Sequence, residues 1–220
     1  MSPPLQIALL WTAFAVSHIV LSSLPVRGRL LASLGENAFR ALYSIIALAI
    51  FVPLVWIYFA NKHAGPALWN LQVGDALYSL IYVGMGVAFI LLVSAFIQPS
   101  PAGMAGAGPT PRGVLFITRH PLLMAFALFG LLHLIPNGFA ADVVFFGGFV
   151  AFVLVGAWHQ DQRKLETQPG YAAFHAATPF LPFTGRETMR GLREMSPVAV
   201  ALGVALTVVV RTFHARWFGG

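Results

Sequence analysis

Long apolar runs separated by short polar ones set the pattern of this chain. Six of them approach the roughly 20 residues that an α-helix needs to cross bilayer hydrocarbon. They lie at residues 5–24, 39–60, 74–97, 114–135, 142–159 and 197–212. The expected fold is therefore all-α: a polytopic membrane helix bundle of about six transmembrane helices. Pro25, Pro99 and Pro136 fall just beyond the first, third and fourth runs, where a missing amide donor is tolerated. Pro53 lies inside the second and predicts a kink. Residues 98–113 begin QPSPAGMAGAGPTP and predict a flexible cytoplasmic loop with little capacity to pack. Residues 160–196 mix DQRKLE with PGYAAFH and TPFLPF, a blend of charge and aromatic anchors. That blend suits short helices lying in the cytoplasmic interface, or an inert connector resting on headgroups. Gly84 with Ala88 is a small-xxx-small pair and predicts one packing seam. Nothing marks a second domain, so residues 1–220 read as a single membrane domain.

Composition supports lipid as the solvent. Only 9% of residues are charged and 58% are hydrophobic, against about 25% charged in a soluble domain. The formal net charge is +6, but the cations fall between apolar runs, which favours anionic lipid headgroups and not nucleic acid as partner. Their distribution also orients the chain. Arg27, Arg29, Arg40, Arg112, Arg119, Arg163, Lys164, Arg186, Arg190 and Arg193 share one side, leaving Lys62, Arg211 and Arg216 on the other. The positive-inside rule then puts the N-terminus on the periplasmic side of the cell inner membrane. The opening MSPPLQIALLW has no positive n-region and reads as a first helix, not a cleaved signal. With no cysteine, disulfides, thiolate nucleophiles and Cys-held metal clusters are excluded. No P-loop, dinucleotide fingerprint, HExxH or nucleophile elbow is present.

Polar side chains inside apolar runs are costly and carry the candidate chemistry. His18 lies within the first run beside Ser17, Ser22 and Ser23. It either bonds a facing carbonyl or hydroxyl, or ligates a metal, since neutral imidazole is a good iron ligand and membrane interiors hold haem. Arg119 and His120 precede Pro121, a residue suited to a first helical turn. There Arg119 is an interfacial anchor, or reaches a headgroup phosphate or a cofactor carboxylate. His133 lies about 20 Å further along a straight helix than His120, so one metal cannot take both. His159, Asp161 and Arg163, with His175 near Tyr171, form either a second polar cluster or solvated pairs. His63 and His214 receive no chemistry. Glu36, Asp161 and Glu166 fall near cytoplasmic ends, so no membrane-embedded carboxylate pair is expected.

Five strings, HIVLSSLPVRGRLLASLGENAFRALYS, ITRHP, HLIPNG, GAWHQDQRKLETQPGYAAF and ATPFLPFTGR, occur in this order. Together they resemble the NnrU family of membrane proteins, associated with denitrification gene sets, and the related plant 15-cis-zeta-carotene isomerase. The resemblance covers most of residues 14–186. It implies a haem b site, with His18 and His133 as iron ligands and His120 as the histidine of the Arg-His-Pro string; under that haem reading the fork of Arg119 is expected to face a propionate. His159 stands where the plant string has asparagine, so a carotenoid-specific pocket does not carry over. Helix depths leave a gap of about 10 Å between His18 and His133, to be closed by tilt, a kink or an oblique haem. The implied function is a haem-binding membrane protein with a redox-linked or isomerase-like role, through the family in nitrogen-oxide metabolism. Such a protein would serve a lipophilic or small-molecule substrate and a membrane redox partner. Two rival readings remain. One is an S-adenosylmethionine-dependent membrane methyltransferase, on the Arg-His-Pro string with Glu166 and Tyr171, although the adjacent Glu pair of those enzymes is missing. The other is a non-enzymatic assembly scaffold.

Overall fold

The computed structural model of the chain describes residues 1–103 and 110–219. Its elements are α1 Pro3–Ser22, α2 Leu24–Leu34, α3 Glu36–Ala60, α4 Asp75–Ile97, a 3-10 turn Gly113–Phe116, α5 Pro121–Leu134, α6 Ala140–Thr167, α7 Tyr171–Ala177, α8 Thr188–Arg193 and α9 Pro197–Phe218. Among the described residues the only extended pairing is an isolated bridge between Ala67 and Phe139. Five helices, α1, α3, α4, α6 and α9, are long and apolar enough to cross a membrane. The chain is a multi-pass helical membrane protein.

The run at 114–135 behaves differently from the other five. A residue before proline is pushed out of the helical region, so α5 starts at Pro121 and has 14 residues. At 1.5 Å per residue that is about 21 Å, short of the roughly 30 Å of hydrocarbon. By contrast, α6 has 28 residues and continues past the expected end at His159, because Gln160 to Thr167 contain no breaker. Asp161, Arg163 and Glu166 are therefore helical residues. The first connection is also helical: α2 opens with proline in its first turn, where the absent donor costs nothing. Pro53 lies inside α3, which continues through it.

The chain forms two compact units, residues 1–72 with 133–159 and residues 73–132 with 160–220. In the first, Trp11 is edge-on to Phe14, Phe51 and Phe149, and its Nε1 donates to the Phe145 carbonyl at 3.1 Å. Gly148 makes this approach possible, since a Cβ there would stand 2.2 Å from the indole nitrogen. In the second unit, α4 and α9 pack closely, and a Cβ on Gly203 would meet the backbone of Ile90 at 2.7 Å. Of the small pair noted in the sequence, Gly84 lies against Leu132 and Ala88 is buried.

The ends of the loop expected to be flexible are tied down. The Ser100 hydroxyl donates to the Arg119 carbonyl at 2.6 Å, the Val114 amide to Gln98 Oε1 at 3.2 Å, and the Gly113 amide to Glu194 Oε2 at 3.2 Å. The middle of that loop, 104–109, lies outside the described residues.

Candidate functional site

Of the residues singled out in the sequence, His18 and His133 belong to the first unit, Arg119 and His120 to the second. His18 sits near the end of α1, half-buried, with Nδ1 2.8 Å from the Phe14 carbonyl one turn earlier. A carbonyl can only accept, so Nδ1 carries the hydrogen and, in the neutral ring, Nε2 holds the lone pair. Aromatic rings surround it: Phe14 at 4.0 Å between centroids, Tyr43 at 4.9 Å and Phe152 at 5.3 Å, the last two edge-on. The neighbouring serines bond backbone carbonyls instead of the imidazole: Ser17 to Phe14, Ser22 to His18 and Ser23 to Val20.

His133, in the last turn of α5, stacks on Phe146 with centroids 4.9 Å apart. His18 and His133 thus approach α6 at Phe152 and Phe146, six residues apart, or about 9 Å of helical rise. Asn137 donates to the His133 carbonyl at 2.8 Å, which ties down the helix end that carries the ring.

In the second unit, the strings around Arg119, Asp161, Tyr171 and Thr178 converge on one buried carboxylate. Asp161 Oδ2 accepts from Arg119 Nε at 2.8 Å. Oδ1 accepts from His120 Nε2 at 2.8 Å and from the Tyr171 hydroxyl at 2.5 Å. Arg119 also donates through Nη1 to the Thr178 carbonyl at 2.8 Å and through Nη2 to His175 Nε2 at 3.0 Å. Its guanidinium lies over the Phe180 ring at 5.2 Å. Arg119, His120, Asp161 and Tyr171 are 7%, 3%, 1% and 0% exposed. A buried cation and anion are tolerable only when each is paired and its hydrogen bonds are met. Here the Arg fork, the imidazole and the phenol supply those bonds together.

Local structure positions each member. The break before Pro121 leaves Arg119 and His120 outside any helix, in a segment that runs alongside Pro179 and Phe180: the Arg119 amide donates to the Pro179 carbonyl at 2.9 Å and the Thr118 hydroxyl to the Phe180 carbonyl at 2.7 Å. Gly170 takes a left-handed conformation, φ 79°, which starts α7 and turns Tyr171 inward. Burial, and then the Asp161 carboxylate, push the Tyr171 phenol far up, so it remains a donor. Burial, and then the Arg119 charge, lower His175 below its ordinary range. The neutral ring is the form that accepts from Arg119.

A second carboxylate site was not expected from the sequence. Asp142, in the first turn of α6, accepts from the Tyr58 hydroxyl at 3.1 Å and from the His63 amide at 3.2 Å, and lies 2.8 Å from His63 Nδ1. The only signal available was a lone acid at the head of an apolar run. In α6, His159 Nε2 is buried with no hydrogen-bond partner, and in α9 the His214 ring lies against Phe218.

A family model described as NnrU protein matches residues 6–220. The chloroplastic 15-cis-zeta-carotene isomerase of Arabidopsis thaliana is 30% identical over 194 residues, covering 83% of this chain and 50% of that protein. The chloroplastic 15-cis-zeta-carotene isomerase of Zea mays is 26% identical over 184 residues, covering 80% and 48%. The chain thus spans about half the length of the curated relatives it matches. No solved structure matches it.

Proposed function

The chain belongs to the NnrU family, and on that premise we propose that it is a membrane haem b protein with an isomerase-like activity, converting a cis double bond of a lipophilic substrate to trans. His18 and His133 are the imidazole ligands in this reading. The observation that carries it is the state of His18. Its Nδ1 is fixed on the Phe14 carbonyl, the backbone bond that typically orients a metal-ligating histidine and leaves Nε2 as donor to iron.

The residues present fit the group. Both donors are imidazoles, and aromatic rings line the His18 side, offering flat apolar walls to a macrocycle. Haem bound there would supply an iron whose ligation and oxidation state set its reactivity. The protein's own part is to hold two ring nitrogens, exclude water with phenylalanines and admit a substrate from lipid.

Arg119 has a different place in this account. Its guanidinium donates to Asp161, Thr178 and His175, so it acts as a tie within the second unit, and neither a propionate contact nor an S-adenosylmethionine contact is assigned to it.

The test is the spectrum and turnover of the full chain, purified in detergent from cells supplied with haem. A Soret band that is lost or displaced in His18→Ala and His133→Ala is expected. So is conversion of a 15-cis polyene to its trans isomer, followed by absorbance and lost in the same variants. Protein without a Soret band overturns the haem reading. A spectrum unchanged in both variants moves the ligands elsewhere.

A further inference from the structure

The structure holds a second imidazole under tight control, far in sequence from the histidines used above. His63 follows α3 in a turn with φ 59°, the left-handed region that a non-glycine residue seldom occupies. Such a conformation persists only where its surroundings over-determine it. Here they do: the Ala141 amide donates to the Ala64 carbonyl at 3.0 Å, the Ala140 amide to Pro66 at 3.0 Å and the Leu68 amide to Gly138 at 2.8 Å. The turn is thereby laced to the start of α6. The conformation aims both the His63 amide and its Nδ1 at Asp142, whose side chain is 0% exposed while that of His63 is 51% exposed.

The two oxygens of the Asp142 carboxylate have different partners, and the His63 ring is the one at Oδ2. The Tyr58 hydroxyl and the His63 amide already donate to Oδ1, and the first turn of α6 favours a negative charge. The ring contact, besides meeting Oδ2, fixes the tautomer. Nδ1–H donates to Oδ2, so the lone pair sits on Nε2, at the edge of the ring away from the buried acid. Tyr58 is held in turn by face-to-face stacking on Phe145, 3.8 Å between centroids. An imidazole oriented by a buried carboxylate, with its second nitrogen outward, is the arrangement that general-base catalysis requires.

We propose that His63 is a proton-transfer group for a hydroxylic ligand, water or an alcohol, with Asp142 and Tyr58 as positioning residues. With a carboxylic ester as the electrophile, the water or alcohol oxygen bonds to the acyl carbon as its O–H proton passes to Nε2, and the ester C–O bond breaks with its electron pair on the leaving oxygen. The ring, imidazolium beside the Asp142 carboxylate in between, then gives its proton to that oxygen or to solvent, so no oxidant or reductant is needed. Among the described residues, Asp142 faces the ring with Tyr58 behind it, and Lys62 precedes His63 in the chain with its Nζ 5.9 Å from the Phe59 ring centre. Phe139 lies beside the imidazole at 5.6 Å and offers an apolar wall to the carbon part of a ligand.

The probe is p-nitrophenyl acetate, hydrolysed by the full chain in detergent with release of p-nitrophenolate. Hydrolysis above that of detergent alone is expected, most of it lost in His63→Gln. In Asp142→Asn it should fall too, because the ring loses the carboxylate that holds Nδ1–H and fixes the tautomer. Tyr58→Phe, which keeps the ring stack, should fall less. Since Asp142 is buried, its variant is read only if its unfolding temperature matches the parent's. His63→Gln, at a half-exposed side chain, decides the matter by itself: hydrolysis at the parent's rate overturns the proposal. Nitrogen-15 spectra of labelled histidine give a separate check on the parent, where His63 protonated at Nε2 and bare at Nδ1 would also overturn it. Neither readout depends on haem or on a polyene substrate.

Discussion

Arg119 and Asp161, 42 residues apart in sequence, meet with Nε 2.8 Å from Oδ2, and their side chains are 9% and 2% exposed. Removing one charge strands the other away from water. Asp161→Asn should therefore destabilise the protein by about 3–5 kcal/mol, the usual cost of breaking a buried pair. Thermal unfolding in detergent measures it. Arg119→Lys keeps the charge but not the fork that reaches Thr178 and His175, and should fall between parent and Arg119→Ala. A parent-like transition for Asp161→Asn would mean that the carboxylate is not holding this part of the chain together.

Tyr171→Phe tests one bond of the same group. The phenol donates to Asp161 at 2.5 Å and is fully buried. The variant keeps the ring and leaves the carboxylate one donor short, at an expected cost of about 1–3 kcal/mol. The loss should be smaller than that of Asp161→Asn in the same unfolding assay.

His175 gives the second unit a pH dependence. Burial and the Arg119 charge lower its proton affinity in the folded protein below the ordinary value of 6.5, so the unfolded chain takes up the proton first. Stability is then whole above the ordinary value and declines as pH falls through it toward the lower folded value. Unfolding temperatures measured between about pH 5 and 8 should fall on the acid side, and His175→Gln should flatten that part of the curve.

Gly148→Ala tests the packing of Trp11. A Cβ 2.2 Å from the indole nitrogen forces the ring or the helix to move, with an overpacking cost of about 1–3 kcal/mol. Trp11→Phe in the same chain should recover part of the loss, because the smaller ring vacates the contested space. Additive losses in the double variant would show that the two residues do not meet.

The long helices were visible in the sequence because lipid demands unbroken apolar length, and α1, α3, α4 and α9 follow the runs within a few residues at most of their ends. The short α5 departs from that rule, since Pro121 fixes its start whatever the hydropathy before it. The extension of α6 was hidden for the opposite reason: DQRKLET is polar, but nothing in it breaks a helix. The Asp161 site was legible only in pieces. Arg119, His120, Asp161, Tyr171 and His175 each stood out, yet their joining depends on a return of the chain over 41 to 59 residues, which no local period encodes. Asp142 and His63 are 79 apart and border separate apolar runs, so neither pointed to the other.

The bond from Arg119 to the Thr178 carbonyl also imposes an order on assembly. It spans 59 residues, which a ribosome needs about 3–12 s to make at ordinary elongation rates. Until those acceptors are made, the Arg119 donors must be met by other groups, water or lipid phosphate among them. Helices α1 to α4 are complete by then, but the second unit still lacks Asp161, Tyr171 and Thr178. A product released before Thr178 would carry every sign of a finished membrane protein in its first half and an unpaired guanidinium in its second, a difference that a membrane protease could read.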